Sequence, residues 1–261
     1  TASPTATASP IPTLSCPRNV GAFYAYWTRY SMPSSELPYT KLTHIYHAFI
    51  RPLADGSLDV PGSFLDPSLI SSAHAASVQV LVSVGGADDS PGGGSEFWAT
   101  VATNPVPRAA FIDNIYQFIL NNGYDGIDID WEFPDNPTKK AGLNALMQGL
   151  RTKFATSPAP APGWRITADV SWGSYYGKWW DMAFLKDYVD WFNIMIYDMY
   201  GSWSSTSGHN AALFDSTLPG APSGNNGSDS ISYFVSQGLP TRQMQYGLSF
   251  YADRFNSPVL Y

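Results

Sequence analysis

The sequence predicts an α/β fold of the (β/α)8 barrel type whose parallel strands end after the seventh. Apolar runs rich in Val, Ile, Phe and Tyr recur along the chain, helix-like stretches separate several of them, and a length of 261 residues suits one barrel domain. Such alternation implies parallel strands joined by crossover helices. A doubly wound open sheet is the alternative, but the sequence has no glycine-rich phosphate loop to support it.

The predicted strands follow the apolar runs. They lie at residues 20–27, 43–50, 78–84, 124–132, 165–172, 190–198 and 244–251. After residue 251 only the segment ADRFNSPVLY remains, which is too short for another helix and strand. A parallel barrel needs closure to pair its edge strands. We therefore expect a TIM-barrel type fold that is truncated after the seventh strand.

The predicted helices lie between these strands. They cover residues 66–76, 106–121, 138–155, 179–187 and 229–237. The stretch 106–121 shows the pattern best, since Phe111, Ile115 and Ile119 recur at helical spacing. Asn122-Gly123 follows as a typical stop signal.

The N-terminal segment differs in composition from the rest. Residues 1–15 read TASPTATASPIPTLS, a Thr/Ser/Pro/Ala low-complexity stretch that cannot bury a core. We expect a disordered linker at 1–15 and the barrel at 16–261, incomplete at its C-terminus. A tether to another module and a frayed terminus both remain open for the linker.

Charge excludes some classes of partner. The formal net charge is −7 and only 13% of residues are charged, so no basic patch can neutralise nucleic acid or an anionic membrane surface. Many extracellular proteins share this low charge, and we expect a secreted, extracellular protein. The single Cys16 allows no internal disulfide. The histidines at 44, 47, 74 and 209 show no metal-ligand spacing, so no metal and no cofactor are expected.

Aromatic residues make up 15% of the chain, including 9 Trp and 16 Tyr. Aromatic faces often cover the apolar faces of sugar rings in carbohydrate clefts, and they also fill ordinary cores. Composition alone leaves both roles open.

The most informative stretch is YDGIDIDWEFP at residues 124–134. Side chains alternate along a strand, so Asp128, Asp130 and Glu132 share one face and the intervening apolar residues share the other. In a barrel the acids point into the interior, with Glu132 at the carboxyl end where barrel active sites lie. Burial and like charge raise carboxyl pKa values, so at least one proton is retained near neutral pH. A protonated carboxyl at this end suits a general acid.

The spacing Asp-x-x-Asp-x-Asp-x-Glu, which runs from Asp125 to Glu132, resembles the signature of glycoside hydrolase family 18, the chitinases and their relatives. Three other segments resemble family landmarks: SVGG at 83–86, MIYD at 195–198 and GHNAALF at 208–214. The resemblance covers roughly residues 20–251. It implies a catalytic barrel that hydrolyses β-1,4-linked N-acetylglucosamine with retention of configuration, by substrate-assisted catalysis.

The resemblance also implies roles for individual residues. Glu132 corresponds to the acid that protonates the glycosidic oxygen, and no enzyme nucleophile is needed because the N-acetyl oxygen of the substrate attacks. Asp130 corresponds to the residue that orients the acetamido group, Asp128 to its buried partner, and Tyr197 to the donor to the acetamido oxygen. Asp125 is expected to stabilise the start of the strand. The implied substrate-binding residues are Tyr24, Phe49, Met195, Asp198, Trp203 and Tyr251.

Some family features have no counterpart here. The seventh strand ends Phe-Tyr-Ala-Asp-Arg at 250–254 instead of Phe-Tyr-Gly-Arg, and no residue matches the tryptophan of an eighth strand or the small α+β insertion of some members. The expected partner is chitin or N-acetylglucosamine oligosaccharides, with association through the open barrel edge. The alternatives are an endo-β-N-acetylglucosaminidase acting on N-glycan cores and a chitin-binding protein with little activity. The intact Glu132 favours an enzyme, and the missing strand favours a binding protein.

Overall fold

The computed structural model describes residues 19–87, 94–156, 163–217 and 223–256. The predicted linker at 1–15 and Cys16 lie outside the described residues. The strands are β1 (Gly21–Ala25), β2 (His44–Pro52), β3 (Leu58–Asp59), β4 (Gln79–Gly85), β5 (Gly126–Asp130), β6 (Arg165–Ser171), β7 (Trp191–Met195) and β8 (Met244–Tyr246). The α-helices are α1 (Pro67–Ala75), α2 (Gly94–Thr103), α3 (Pro105–Asn122), α4 (Pro137–Phe154), α5 (Ser174–Gly177), α6 (Met182–Leu185) and α7 (Gly227–Ser236).

Seven of the strands form one parallel sheet in the order β1-β2-β4-β5-β6-β7-β8. The short β3 pairs antiparallel with the end of β2. Within the described residues β1 and β8 are the two edges of this sheet. The prediction of seven parallel strands with crossover helices, forming an incomplete barrel, is confirmed.

The sheet curves around a shared interior. The Tyr46 hydroxyl on β2 accepts a hydrogen bond from the Trp191 indole N–H on β7 (2.8 Å). The same hydroxyl lies 3.0 Å from Asn193 Oδ1 and 2.9 Å from Gln245 Oε1 on β8, and it can donate to either oxygen. Side chains from one end of the sheet therefore meet those from the other end inside the barrel.

The apolar core lies between the sheet and its helices. Ile127, Ile129 and Trp131, which alternate with the acids along the chain, are fully buried there, and Trp131 stacks on Trp98 of α2 with ring centroids 6.2 Å apart. Helix α3 ends as predicted at Gly123, whose φ of 77° is left-handed and whose N–H donates to Ile119 O. The apolar half of the alternation thus anchors the strand that carries the acids.

Polar residues around the strands have structural roles. Asp125 accepts from Val80 N (2.7 Å) and pairs with His74 Nε2 (2.8 Å), so it stabilises the start of β5 as predicted.

Asn226, which begins a glycosylation sequon, is buried as the N-cap of α7, and its amide donates to Asp215 and Asp229. A buried cap is a poor acceptor for a glycan.

Several predicted boundaries differ from the structure. The strands predicted at 190–198 and 244–251 end at Met195 and Tyr246. Among the described residues β8 forms ladder hydrogen bonds only with β7. It therefore loses its partner, and ends, where β7 ends. The helix predicted at 179–187 shortens to α6, and α2 was not predicted because a Gly/Ser-rich stretch precedes it.

Candidate active site

The carboxyl end of β5 carries the acids of the motif. β5 lies in the middle of the sheet, between β4 and β6. Asp128 and Asp130 are buried in the interior. Glu132 lies two residues beyond Asp130, the last residue of β5, and is half-buried. The predicted alternation of acids inward and apolar residues outward is confirmed.

Asp128 is held by side-chain hydrogen bonds from other strands. Its carboxylate accepts from Ser83 Oγ on β4 (2.7 Å), from Thr167 Oγ1 on β6 (2.5 Å) and from Asn193 Nδ2 on β7 (3.2 Å). Burial raises the pKa of Asp128, and the hydrogen bonds oppose that rise because they favour the ionised form. Donors on three other strands, β4, β6 and β7, therefore hold one carboxylate in a fixed position.

Asp130 has far less support. Its Oδ1 is buried without a hydrogen-bond partner among the described residues. Burial, followed by the charges of Glu132 and Asp128, raises the pKa of Asp130 well above its usual value. This shift has the direction expected for acids at this spacing, since burial and like charge both favour a bound proton.

Asp169 on β6 is a further buried acid that the sequence reasoning missed. It is 1% exposed, and burial, followed by the charges of Asp128 and Asp130, raises its pKa well above the usual range. The signal was present, since Thr167, Asp169 and Ser171 alternate with apolar residues along β6 just as the acids do along β5. The interior at this level therefore contains one acid more than the motif predicts.

Tyr197, Asp198 and Tyr251 come together at the mouth of the barrel. The Tyr251 hydroxyl lies 2.8 and 2.9 Å from the two Asp198 carboxylate oxygens, and the Tyr251 ring meets Tyr197 edge-on at 6.2 Å. Asp198 has a left-handed φ of 56°, and its N–H donates to Asn210 Oδ1 (3.0 Å). Burial, followed by the charges of Asp169 and Asp130, raises the pKa of Tyr197, so its hydroxyl keeps its proton. Met195 ends β7 and is half-buried.

Phe49 belongs to an aromatic cluster on the β1–β2 side. Its ring lies 6.3 Å from that of Phe23 and 6.2 Å from that of Trp27, and Phe23 and Trp27 are both exposed. A Cβ added at Gly86 would lie 2.9 Å from the Phe49 ring, so glycine permits this close approach. Phe23 and Trp27 were not among the predicted site residues.

The structure does not bring Tyr24 to the cleft. Tyr24 is 4% exposed, its hydroxyl donates to Met32 O (2.9 Å), and its ring stacks on His47 at 5.9 Å. Side chains alternate along β1, so Tyr24 faces the helix layer while Phe23 stacks on the interior Tyr46 at 4.7 Å. The residue of β1 that faces the cleft is therefore Phe23, which directly precedes the predicted Tyr24.

Trp203 lines a groove of about 640 Å³ beside the carboxyl end of β6. It is 65% exposed, and its ring packs over Gly201. The aromatic side chains that share the groove are Trp172, Tyr175, Tyr176 and Tyr233. Ser171 links this groove to the site, because it lines the groove and pairs in register with Met195.

The part of the chain that the structure describes contains no group of three or more His, Cys, Asp or Glu side chains arranged to hold a metal ion. None of the helices among the described residues is both long and apolar enough to cross a membrane. The carboxyl and phenol groups at the carboxyl end of β5 can transfer protons and form hydrogen bonds.

Comparison with known proteins gives a consistent picture. The family model described as glycosyl hydrolases family 18 matches residues 19–258. The chain is 30% identical over 243 residues to a class V chitinase of Arabidopsis thaliana, covering 87% of this chain and 60% of that protein. It is 28% identical over 259 residues to a chitinase-like effector of Moniliophthora roreri, covering 93% of this chain and 61% of that protein.

Among solved structures, the chain resembles the Ostrinia furnacalis group IV chitinase in complex with allosamidin, with a TM-score of 0.73 and 26% identity. That match covers 87% of this chain and 64% of the other. The chain thus spans about 60% of the length of the two curated relatives described above.

Proposed function

This chain belongs to the glycosyl hydrolases family 18, and we propose that it is a retaining chitinase that cleaves β-1,4-linked N-acetylglucosamine by substrate-assisted catalysis. The observation that carries the proposal is the line of acids along and just beyond β5, with Asp128 held by three donors and Glu132 half-buried at the carboxyl end. The similarity to a class V chitinase and to a chitinase bound to allosamidin supports the choice of substrate.

In the proposed reaction Glu132 is the general acid. It transfers its proton to the glycosidic oxygen as the bond from that oxygen to the anomeric carbon breaks. The carbonyl oxygen of the neighbouring N-acetyl group attacks the same carbon and forms a cyclic oxazolinium. Water then attacks this carbon, its proton passes to the Glu132 carboxylate, and the N-acetyl group is restored. Two inversions give net retention.

Asp130 and Tyr197 orient the acetamido group in this scheme. The Tyr197 hydroxyl stays protonated, so it can donate to the acetamido oxygen and aim it at the anomeric carbon. Asp130 lies between Asp128 and Glu132 along the chain, and its carboxyl oxygen Oδ1 has no protein partner among the described residues. That oxygen is available to the acetamido nitrogen, whose positive charge grows as the ring closes.

The proposed substrate contacts lie on both sides of these acids. Half-buried Phe49 and the exposed Phe23 and Trp27 offer aromatic faces to sugar rings on the β1–β2 side. Trp203 offers another on the β6 side, and Asp198, fixed by Tyr251, offers carboxylate oxygens to sugar hydroxyls. Met195 completes the pocket at the end of β7.

A chitin-binding protein with little activity is the second candidate. The similarity to a chitinase-like effector favours it. Binding without turnover would keep the aromatic cluster important and make Glu132 dispensable.

The decisive experiment is incubation of the protein with chitin oligosaccharides and, separately, with a high-mannose glycoprotein, followed by mass spectrometry and NMR of fresh products. The proposal predicts shortened chitin oligosaccharides whose new reducing end is the β anomer. Release of the glycan from the glycoprotein alone would identify an endo-β-N-acetylglucosaminidase. Binding of chitin oligosaccharides without any product would identify the second candidate.

We also propose that the protein is secreted and acts outside the cell. The low share of charged residues supports this location, as does an insoluble polymeric substrate. Detection of the protein in the medium of fractionated cultures is the test, and retention in the cell fraction would contradict it.

A further inference from the structure

The acid on β6 lies at the same level of the barrel as Asp130. β5 and β6 pair with Ile129 opposite Ala168, so the next inward position places Asp169 beside Asp130. On its other side, Asp169 is opposite Asn193 of β7. Asp169 is therefore part of the ring of inward side chains around Asp128, although it lies outside the motif on β5.

The surroundings of Asp169 do not suit a carboxylate. Both of its oxygens are buried without a hydrogen-bond partner among the described residues. The Asn193 amide, opposite Asp169 in the ladder, donates to Asp128 (3.2 Å), and its interaction with Asp169 only partly offsets the rise in the pKa of Asp169 that burial and the neighbouring acids cause. The titratable groups that face Asp169 are all acids or phenols: Asp128, Asp130, Tyr46 and Tyr197.

A bound cation does not neutralise the acids around Asp169. Asp128, Asp130 and Asp169 do not form one of the groups arranged for a metal ion, since the described residues contain none. A buried, unpaired carboxylate is costly, and a carboxyl in such a place takes up a proton instead. A proton also makes Asp169 a donor, and the acceptor within its reach is the carboxylate of Asp128.

We propose that Asp169 is a positioning residue that holds a proton and donates it in a hydrogen bond to the Asp128 carboxylate. Asp128 then has donors from Ser83, Thr167, Asn193 and Asp169, and it remains the ionised member of the group. Asp130 is not needed as a donor to Asp128, so its carboxyl is free to turn toward Glu132 and the acetamido group. This last consequence rests on the proposed function, whereas the protonation of Asp169 does not.

The stability of the Asp169→Asn variant tests the proton directly. An acid that stays protonated when folded and ionises when unfolded contributes stability at low pH that is lost as pH rises. Asparagine mimics the protonated carboxyl and does not titrate, so the variant escapes the fall in stability that the native protein shows as pH rises. The melting temperature of D169N, relative to the native protein, should therefore rise from pH 4 to pH 8.

Asp190→Asn is the matched control. Asp190 forms ion pairs with Arg151 (2.6 Å) and Arg165 (3.2 Å), so the same substitution removes both pairs and should lower the melting temperature at pH 8. If D169N behaves like D190N, Asp169 is ionised in the folded protein and the proposal is overturned. The infrared spectrum gives a second readout, since the carbonyl band of buried protonated carboxyls should lose the contribution of Asp169 in D169N, while any contribution of Asp130 remains.

Kinetics on chitin oligosaccharides test the positioning role. Loss of a hydrogen bond to a buried charge in Asp169→Ala should lower kcat about tenfold or more while KM changes little. Asp169→Asn keeps a donor and should recover most of that loss. Equal losses in D169A and D169N would contradict the positioning role. If the native protein is inactive, the proposed function fails, but the melting and infrared measurements still decide whether Asp169 carries the proton.

Discussion

The hydrogen bond from Thr167 to Asp128 gives the sharpest quantitative prediction. Thr167→Val keeps the shape of the side chain and removes only the hydroxyl, which lies 2.5 Å from Asp128 Oδ1. Both residues are fully buried, so water cannot replace the lost donor. A hydrogen bond to a charged group contributes about 1.5–3 kcal/mol, so the free energy of unfolding should fall by about 2 kcal/mol at neutral pH.

This change is large enough to measure by thermal melting. For a chain of this length about 2 kcal/mol corresponds to roughly 4–8 °C in Tm. The effect should be smaller at pH 4, because protonation of Asp128 turns a charged hydrogen bond into a neutral one of about 1 kcal/mol. Stability curves at pH 4 and pH 7.5, measured by circular dichroism, provide both numbers.

Thr152→Val is the matched control. The Thr152 hydroxyl donates to Gln148 O on the exposed face of α4, so its loss should change stability by no more than about 0.5 kcal/mol. If T167V is as harmless as T152V, Asp128 does not depend on its donors, and the reasoning that makes it the ionised centre of the site is wrong.

Three further predictions concern the mouth and the edges of the barrel. Tyr251→Phe removes the hydrogen bond that fixes Asp198, and we expect KM for chitin oligosaccharides to rise severalfold with kcat little changed; an unchanged KM would remove Asp198 from the binding site. Gly86→Ala forces a φ of 88° on alanine and brings a Cβ to 2.9 Å from the Phe49 ring, so the free energy of unfolding should fall by about 1–3 kcal/mol. A fall of less than about 0.5 kcal/mol would show that the ring moves aside. Exposed Leu248 and unpaired edges at β1 and β8 among the described residues should cause concentration-dependent association in sedimentation velocity, whereas a 28.5 kDa monomer at all concentrations would contradict it.

The strands and the acids of the motif could be predicted from sequence because one pattern determines both. Along β5 the polar and apolar residues alternate strictly, so the same period that identifies the strand also assigns Asp128 and Asp130 to the interior. The end of α3 at Gly123 could also be predicted from sequence, because the residue after a helix often adopts a left-handed conformation that favours glycine.

Features that depend on contacts between distant segments could not be read in this way. Asp169 becomes significant only when β6 lies beside β5, and the residue it faces is far away in sequence. Tyr24 and Phe23 are adjacent aromatic residues, and a shift of one position exchanges the inner and outer faces of a strand. The pairing of Tyr251 with Asp198 likewise requires the fold to bring two loops together.

Whether Glu132 is the general acid is decided by comparing the rates at which the native protein and the Glu132→Gln variant hydrolyse a chitin oligosaccharide under identical conditions. Glutamine keeps the shape of the side chain but cannot supply a proton, and general acid catalysis contributes about 10²–10⁴-fold. We expect a loss of at least about 100-fold in kcat, with binding of the oligosaccharide, measured by calorimetry, largely preserved. Retention of more than about a tenth of the native rate would contradict this role of Glu132.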